Sequence, residues 1–246
     1  MKIWHSVVLS FAISQCVCAD EAVHWSYEGV GNPSQWGKLK PEFVMCEIGK
    51  NQTPINLIES DMIEAELSPL QFIYQNAISS VINNGHTIQV DYPQGSTITV
   101  DAKTFKLVQF HFHAPSENQI NGKTFPLELH LVHKDDNGAL AVIGVMFDVG
   151  NENSLIDTIW KSVSEKPNES VKLSQEINPL NLLPEIKDYF RFNGSLTTPP
   201  CSEGVRWFVM KKPLTVSPAQ VQQFKGWIKH DNARPLQTIN ARPILK

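Results

Sequence analysis

Positive charge is in short supply. The 246-residue chain carries 21 Lys and Arg against 25 Asp and Glu, a formal net charge of −4 at pH 7. A nucleic-acid binder needs a basic face to neutralise phosphates, and this chain shows no such footprint. Long hydrophobic runs are missing too. The segment from Ile3 to Ile13 is largely apolar but too short to span a bilayer, and no other stretch is apolar enough to do so, so stable membrane insertion is not expected. No low-complexity tract and no repeat of domain or motif length is evident. The length beyond residue 19 suits one large domain, and all-β domains commonly reach this size. Cysteine is scarce, with four in all.

The apolar start has the layout of a secretory signal. Met1-Lys2 supplies a positive lead, and Val17-Cys18-Ala19 puts small residues at the two positions a signal peptidase reads. Residues 1–19 are therefore expected to be a signal peptide cleaved after Ala19, leaving residues 20–246 as a periplasmic or secreted domain. Ile13-Ser14-Gln15-Cys16 has part of a lipoprotein cleavage pattern, but Gln15 is a poor residue before the cysteine. Cleavage removes Cys16 and Cys18. Cys46 and Cys201 remain, and two cysteines in an exported chain are expected to pair; two free buried thiols are the alternative.

Short β-rich runs separated by Gly, Pro and Asn fill most of the chain, among them Gln71–Tyr74, Ser79–Asn84, His86–Tyr92 and Ser96–Val100. Residues 20–45 read as an irregular, aromatic-rich lead-in that wraps the domain. The apolar run Leu140–Phe147 reads as a central strand buried on both faces. Tyr189–Phe192 and Val205–Met210 read as strands flanking Asn193–Pro200. Two helices are expected. One holds Leu155, Ile156, Ile159 and Trp160, with Asn153 or Ser154 as cap. The other starts at Ser217-Pro218 and carries the stripe Val221, Phe224 and Ile228.

One strand organises the chemistry. In Gln109-Phe110-His111-Phe112-His113, the two Phe side chains point one way, while Gln109, His111 and His113 point the other. Leu127–Val132 repeats the logic: three Leu on one face, Glu128, His130 and Val132 on the opposite one. If the strands are neighbours, three imidazoles converge beside an amide and a carboxylate. Three His ligands with an open fourth position suit a catalytic zinc rather than a closed structural one.

Several stretches, in order along the chain, resemble the α-class carbonic anhydrases. They are Gln52-Thr53-Pro54-Ile55-Asn56, Asn83-Asn84-Gly85-His86, Gln109–His113, Glu128–His133, Gly194–Pro200 and Asn240-Ala241-Arg242-Pro243. The signal segment, length and Cys46/Cys201 pair look most like the bacterial, exported members. The resemblance implies a mainly β fold: a large, twisted, mostly antiparallel central sheet with a few peripheral helices. It also implies zinc-dependent reversible hydration of CO₂ to bicarbonate by attack of a zinc-bound hydroxide, with ester hydrolysis as a side activity. Bacterial relatives are often dimers, which makes a homodimer the expected assembly if there is one.

The residue roles follow from the same resemblance. His111, His113 and His130 would hold Zn²⁺. Gln109 would orient His111, Glu128 would orient His130, and the backbone carbonyl of Asn240 would orient His113. Thr197 would accept the hydrogen of the hydroxide and donate its own to Glu117. Val132, Val142, Leu196 and Trp207, with Thr198, would form the substrate pocket. His86 matches the family's proton shuttle. Pro199-Pro200 is expected to contain a cis bond. His24, His133 and His230 receive no role. Rival readings are a non-catalytic binding relative of the same fold, a zinc hydrolase of esters, and a purely structural metal site.

Overall fold

The computed structural model describes residues 24–246. The expected signal peptide, its cleavage point and Cys16 lie outside the described residues. Thirteen strands are found among those described: β1 (Asn56–Leu57), β2 (Gln71–Ile73), β3 (Ser80–Asn83), β4 (Ile88–Asp91), β5 (Thr97–Val100), β6 (Lys103–His113), β7 (Gln119–Ile120), β8 (Leu127–Lys134), β9 (Leu140–Val149), β10 (Ser170–Lys172), β11 (Tyr189–Ser195), β12 (Glu203–Met210) and β13 (Leu214–Val216). The helices are α1 (Trp36–Leu39), α2 (Met45–Ile48), α3 (Ser154–Trp160) and α4 (Pro218–Ile228).

Eleven strands form one sheet with the central order β10-β3-β4-β6-β8-β9-β12-β11. Its pairings are antiparallel except where β12 and β13 run parallel to β9. The mainly β, mostly antiparallel architecture is as expected. β9 is buried along nearly its whole length because it has neighbours at both edges and apolar clusters over both faces. β1 and β7 make a separate parallel pair.

β6 carries the feature that aims the site. Phe105 and Leu107 belong to the large apolar cluster, and so do Phe110 and Phe112. The step from Leu107 to Phe110 breaks the period of two. A register shift between Leu107 and Gln109 against β8 absorbs the extra residue. A bulge of this kind re-aims every later side chain on its strand. Gln109, His111 and His113 are thereby turned away from the large cluster.

Helices α3 and α4 close the large-cluster face. Asn153 caps α3 by accepting from the N–H groups of Leu155 and Ile156, both at 3.1 Å. Ser217 and Gln220 form a capping box on α4, with Pro218 at the first helical position. Trp160 of α3 packs edge-on against Phe112 with ring centroids 4.8 Å apart, and its indole N–H donates to the Gln220 carbonyl of α4. The lead-in is less irregular than expected, with α1 and α2 within residues 36–48. The strand expected over Tyr189–Phe192 continues to Ser195, because its ladder with β12 persists through another register shift.

Candidate metal centre

β6 and β8 are antiparallel neighbours, and His111 stands directly opposite His130. His113 lies two residues further along the same face of β6. Each ring spends one nitrogen on an oxygen acceptor. His111 Nδ1 donates to Gln109 Oε1 at 2.8 Å, His113 Nδ1 to the Asn232 carbonyl at 2.7 Å, and His130 Nε2 to Glu128 Oε1 at 2.9 Å. Acceptors without hydrogens fix the tautomers. The remaining nitrogens, Nε2 of His111 and His113 and Nδ1 of His130, carry lone pairs. The ligand atoms of the three residues lie within 4.8 Å of one another. His113 Nε2 is buried with no hydrogen-bond partner. Burial lowers the pKa of all three imidazoles, and their mutual repulsion adds to this for His111 and His130. Neutral and close together, the three nitrogens fit a divalent zinc, and the unpartnered buried nitrogen of His113 is what such an ion would satisfy.

The partner of His113 corrects one expectation. Asn240 is exposed, and its amide donates to the carbonyls of Lys50 and Thr238. Asn232 does the work assigned to it. The chain contains the tetrapeptide Asn-Ala-Arg-Pro twice, at 232–235 and 240–243. Only the first copy, just after α4, reaches the end of β6. The Asn232 carbonyl receives His113, and its Oδ1 receives the Ala114 N–H at 2.8 Å. Its Nδ2 donates to the Phe112 and His86 carbonyls.

Glu128 is fully buried and saturated. Its Oε2 accepts from the N–H groups of Glu117 and Asn118, and its Oε1 from the Asn118 side chain as well as from His130. Burial raises its pKa to about 7, opposed by these donors. Glu117 is buried beside it. The Arg234 N–H donates to Glu117 Oε1 at 2.9 Å, while Oε2 lies 3.4 Å from His113 Nε2 and lacks a hydrogen-bond partner. Burial pushes the Glu117 carboxyl well up, and the Arg234 N–H and the Thr197 hydroxyl pull it back. Thr197 thus bears on Glu117, although no bond of ordinary geometry joins them.

The Thr197 loop is tied on several sides. Leu196 N–H donates to the Ser202 carbonyl and Cys201 N–H to the Thr198 carbonyl. The Pro199-Pro200 bond is cis, and Cys201 is bonded to Cys46. Gln52 Nε2 donates to the Cys201 carbonyl. Arg234 Nη1 in turn donates to Gln52 Oε1 and the Thr53 carbonyl, and its Nη2 to the Cys46 carbonyl. Gln52, Asn232 and Arg234 received no role in the sequence reading. A search for short exact repeats would have exposed the two candidate Asn-Ala-Arg-Pro copies.

Residues 31–246 match the family model described as eukaryotic-type carbonic anhydrase. The chain belongs to the α-carbonic anhydrase family. It is 47% identical over 241 residues to a carbonic anhydrase of Pectobacterium carotovorum, covering 96% of this chain and 98% of that one. A Neisseria gonorrhoeae carbonic anhydrase is 44% identical, over 91% of this chain and 88% of its own. Among solved structures, the α-carbonic anhydrase of Thermovibrio ammonificans, in complex with the inhibitor sulfanilamide, superposes with a TM-score of 0.89. The identity is 48%, over 91% of this chain and 99% of that one.

In this carbonic anhydrase His111 and His113 line a cavity of about 120 Å³ together with Trp25, Tyr27, His86, Gln109 and Thr198. Val132 stands opposite Val142, and Trp207 beside Val142 on the next strand. With Leu196 they belong to, or pack against, the smaller apolar cluster. The Trp207 ring meets His130 edge-on at 4.9 Å. His86 lines the same cavity, half-buried, its N–H held by Asn84 Oδ1 and its carbonyl by Asn232. Its ring lies flat on Trp25 at 3.8 Å. Burial, then the charges of His24 and His230, lower its pKa to about 4.

Proposed function

We propose that this carbonic anhydrase hydrates CO₂ reversibly with a zinc ion held by His111 Nε2, His113 Nε2 and His130 Nδ1. The observation that carries the reading is the pairing of each ring's other nitrogen with a fixed oxygen acceptor, leaving three lone pairs close together. When bound, zinc supplies the Lewis acidity that makes water nucleophilic near neutral pH.

The chain's own residues supply the rest. Gln109, Glu128 and the Asn232 carbonyl hold the imidazoles in one tautomer and orientation. Thr197, bearing on Glu117, accepts a hydrogen from the nucleophile and so directs its lone pair at the substrate carbon. Its tether through Cys201, Gln52 and Arg234 fixes that direction, since a misplacement of about 1 Å can cost ~100-fold in rate. Val132, Val142, Leu196 and Trp207 give CO₂, which is small and apolar, a dry wall. His86, lining the same cavity, passes the released proton outward. Activated esters are a side substrate of the same centre. The disulfide and the apolar N-terminal segment support export to an oxidising compartment.

The test is stopped-flow CO₂ hydration on the protein as purified, after chelation, and after zinc is restored. Activity should vanish and return with the metal, and His130→Ala should abolish both zinc retention and hydration. Wild-type activity in His130→Ala would sink the assignment.

A further inference from the structure

The backbone between His111 and His113 is held by a side chain rather than by a neighbouring strand. β4 pairs with β6 at Gln89 opposite His111, Val90 opposite Phe110 and Asp91 opposite Gln109. The ladder ends there because Thr87 has spent its main chain on the preceding turn. Its N–H donates to Asn84 Oδ1 at 2.9 Å, and its carbonyl accepts from the Asn84 N–H at 3.2 Å. Neither group is left to meet β6.

The Thr87 hydroxyl takes their place. It accepts from the Phe112 N–H at 3.2 Å and donates to the Phe112 carbonyl at 2.5 Å. A hydroxyl can do both because it carries one donor and two acceptor lone pairs. Asn232 Nδ2 gives the same carbonyl a second donor at 3.0 Å. Thr87 is buried and lines the same cavity as His111 and His113. The Phe112 ring is packed in the large cluster against Trp160. With its ring packed and both main-chain groups gripped, Phe112 has little freedom to rotate. This matters for the residues on either side of it. His111 and His113 are each tied by one hydrogen bond at Nδ1, which acts as a hinge, so the backbone must fix the rest of the ring's placement. Their rings stand 5.0 Å apart with 69° between the planes.

We propose that Thr87 is a positioning residue of the metal centre: its hydroxyl fixes the Phe112 backbone and thereby sets the angle at which His111 and His113 present their Nε2 atoms. This rests on the carbonic anhydrase reading above and deepens it. Thr87 makes no hydrogen bond to the three histidines and acts only through Phe112. A clamp that merely joined β4 to β6 would support stability and leave metal affinity alone.

The test compares Thr87→Val and Thr87→Ser with wild type. Val keeps the branched shape without the hydroxyl and leaves the buried Phe112 N–H unpaired, whereas Ser keeps the hydroxyl. In chelator competition, Thr87→Val should bind zinc about 10-fold more weakly. That is the low end for a partner outside the ligand set, because the hydroxyl acts through a peptide. Thr87→Ser should bind as wild type does. The d–d spectrum of cobalt-loaded protein, which reports coordination geometry, should change in Thr87→Val and hold in Thr87→Ser. In zinc-free protein, the Nδ1–H NMR signals of His111 and His113 should move in Thr87→Val, while the Nε2–H signal of His130 stays. If Thr87→Val does not fold, Thr87→Ala, which leaves room for a water, carries the same expectations.

Wild-type zinc affinity with a lowered unfolding midpoint in Thr87→Val would overturn the proposal and leave Thr87 as a clamp of the sheet. Equal losses in Thr87→Ser and Thr87→Val would overturn it too, since the hydroxyl would then not be the working group. Wild-type protein that binds no zinc would overturn the carbonic anhydrase reading instead. The NMR signals of the zinc-free protein separate that failure from a failure of the Thr87 argument.

Discussion

Replacing Asn232 with Ala, beside the same change at Asn240, decides which Asn-Ala-Arg-Pro copy supports the metal centre. The Asn232 side chain makes three hydrogen bonds, to the Ala114 N–H and to the Phe112 and His86 carbonyls. Phe112 keeps a donor in the Thr87 hydroxyl, and the His86 carbonyl is near enough to solvent to find water. The Ala114 N–H is buried and would be orphaned, at about 1–3 kcal/mol, with about 1 kcal/mol more for the other lost bonds. Asn232→Ala should therefore lose about 2–4 kcal/mol, read from urea unfolding of the zinc-free protein. The freed backbone also carries the carbonyl that holds His113. Loss of such a partner typically weakens metal binding about 10–100-fold, measurable by chelator competition. Asn240 is exposed but sits at φ +56° and donates to the Lys50 carbonyl, so Asn240→Ala should cost about 1 kcal/mol of stability and leave zinc affinity alone. The reasoning is refuted if Asn240→Ala weakens zinc binding while Asn232→Ala does not.

Other perturbations bear on the loop, the core and the bulge. The Cys46–Cys201 bond closes a sequence separation of 155 residues, for which the chain-entropy model gives about 5 kcal/mol as an upper figure; Cys201→Ser should lower the denaturation midpoint, and an unchanged midpoint would count against it. Gly194→Ala would drive a Cβ into Thr53 Oγ1 and to within 2.9 Å of Trp207 Cδ1; it should cost about 1–3 kcal/mol and depress kcat/KM. His133 is buried against the Tyr74 hydroxyl and its pKa falls to about 3 through burial. Unfolded His133 binds a proton near pH 6.5 and the folded form refuses it, so stability is full above that pH and drains away as pH falls toward 3. At pH 5 this one residue should account for about 2 kcal/mol, seen as a shallower pH dependence of unfolding in His133→Leu. Deleting Val108 should remove the bulge yet leave His111 and His113 on the face opposite Phe110, because Leu107 and Phe110 then stand two residues apart in regular alternation, so zinc binding in equilibrium dialysis should persist.

Much of the centre could be read from one dimension because strand geometry is local. Side chains two apart share a face, so His111 with His113, and Glu128 with His130, were placed by alternation alone. The helix starts at Asn153 and Ser217 were legible for a similar reason, since capping uses groups within three residues. Even the parity break between Leu107 and Phe110 is written in the order of apolar residues. Other choices depend on where distant segments come to rest. Asn232 and Asn240 sit in identical tetrapeptides, and no local rule separates them. The fold does so by delivering the first copy to the end of β6. Arg234 acquires its role only when residues 46–53, Glu117 and the Thr197 loop close around it. The grip of Thr87 on the Phe112 backbone is the same kind of result. By itself the sequence determined a face of three imidazoles with a neighbouring amide and carboxylate, because the backbone repeat enforces it. Which carbonyl holds His113, which arginine braces the loop and which hydroxyl grips the Phe112 backbone were decided by the tertiary structure, since those contacts join residues that no periodicity relates.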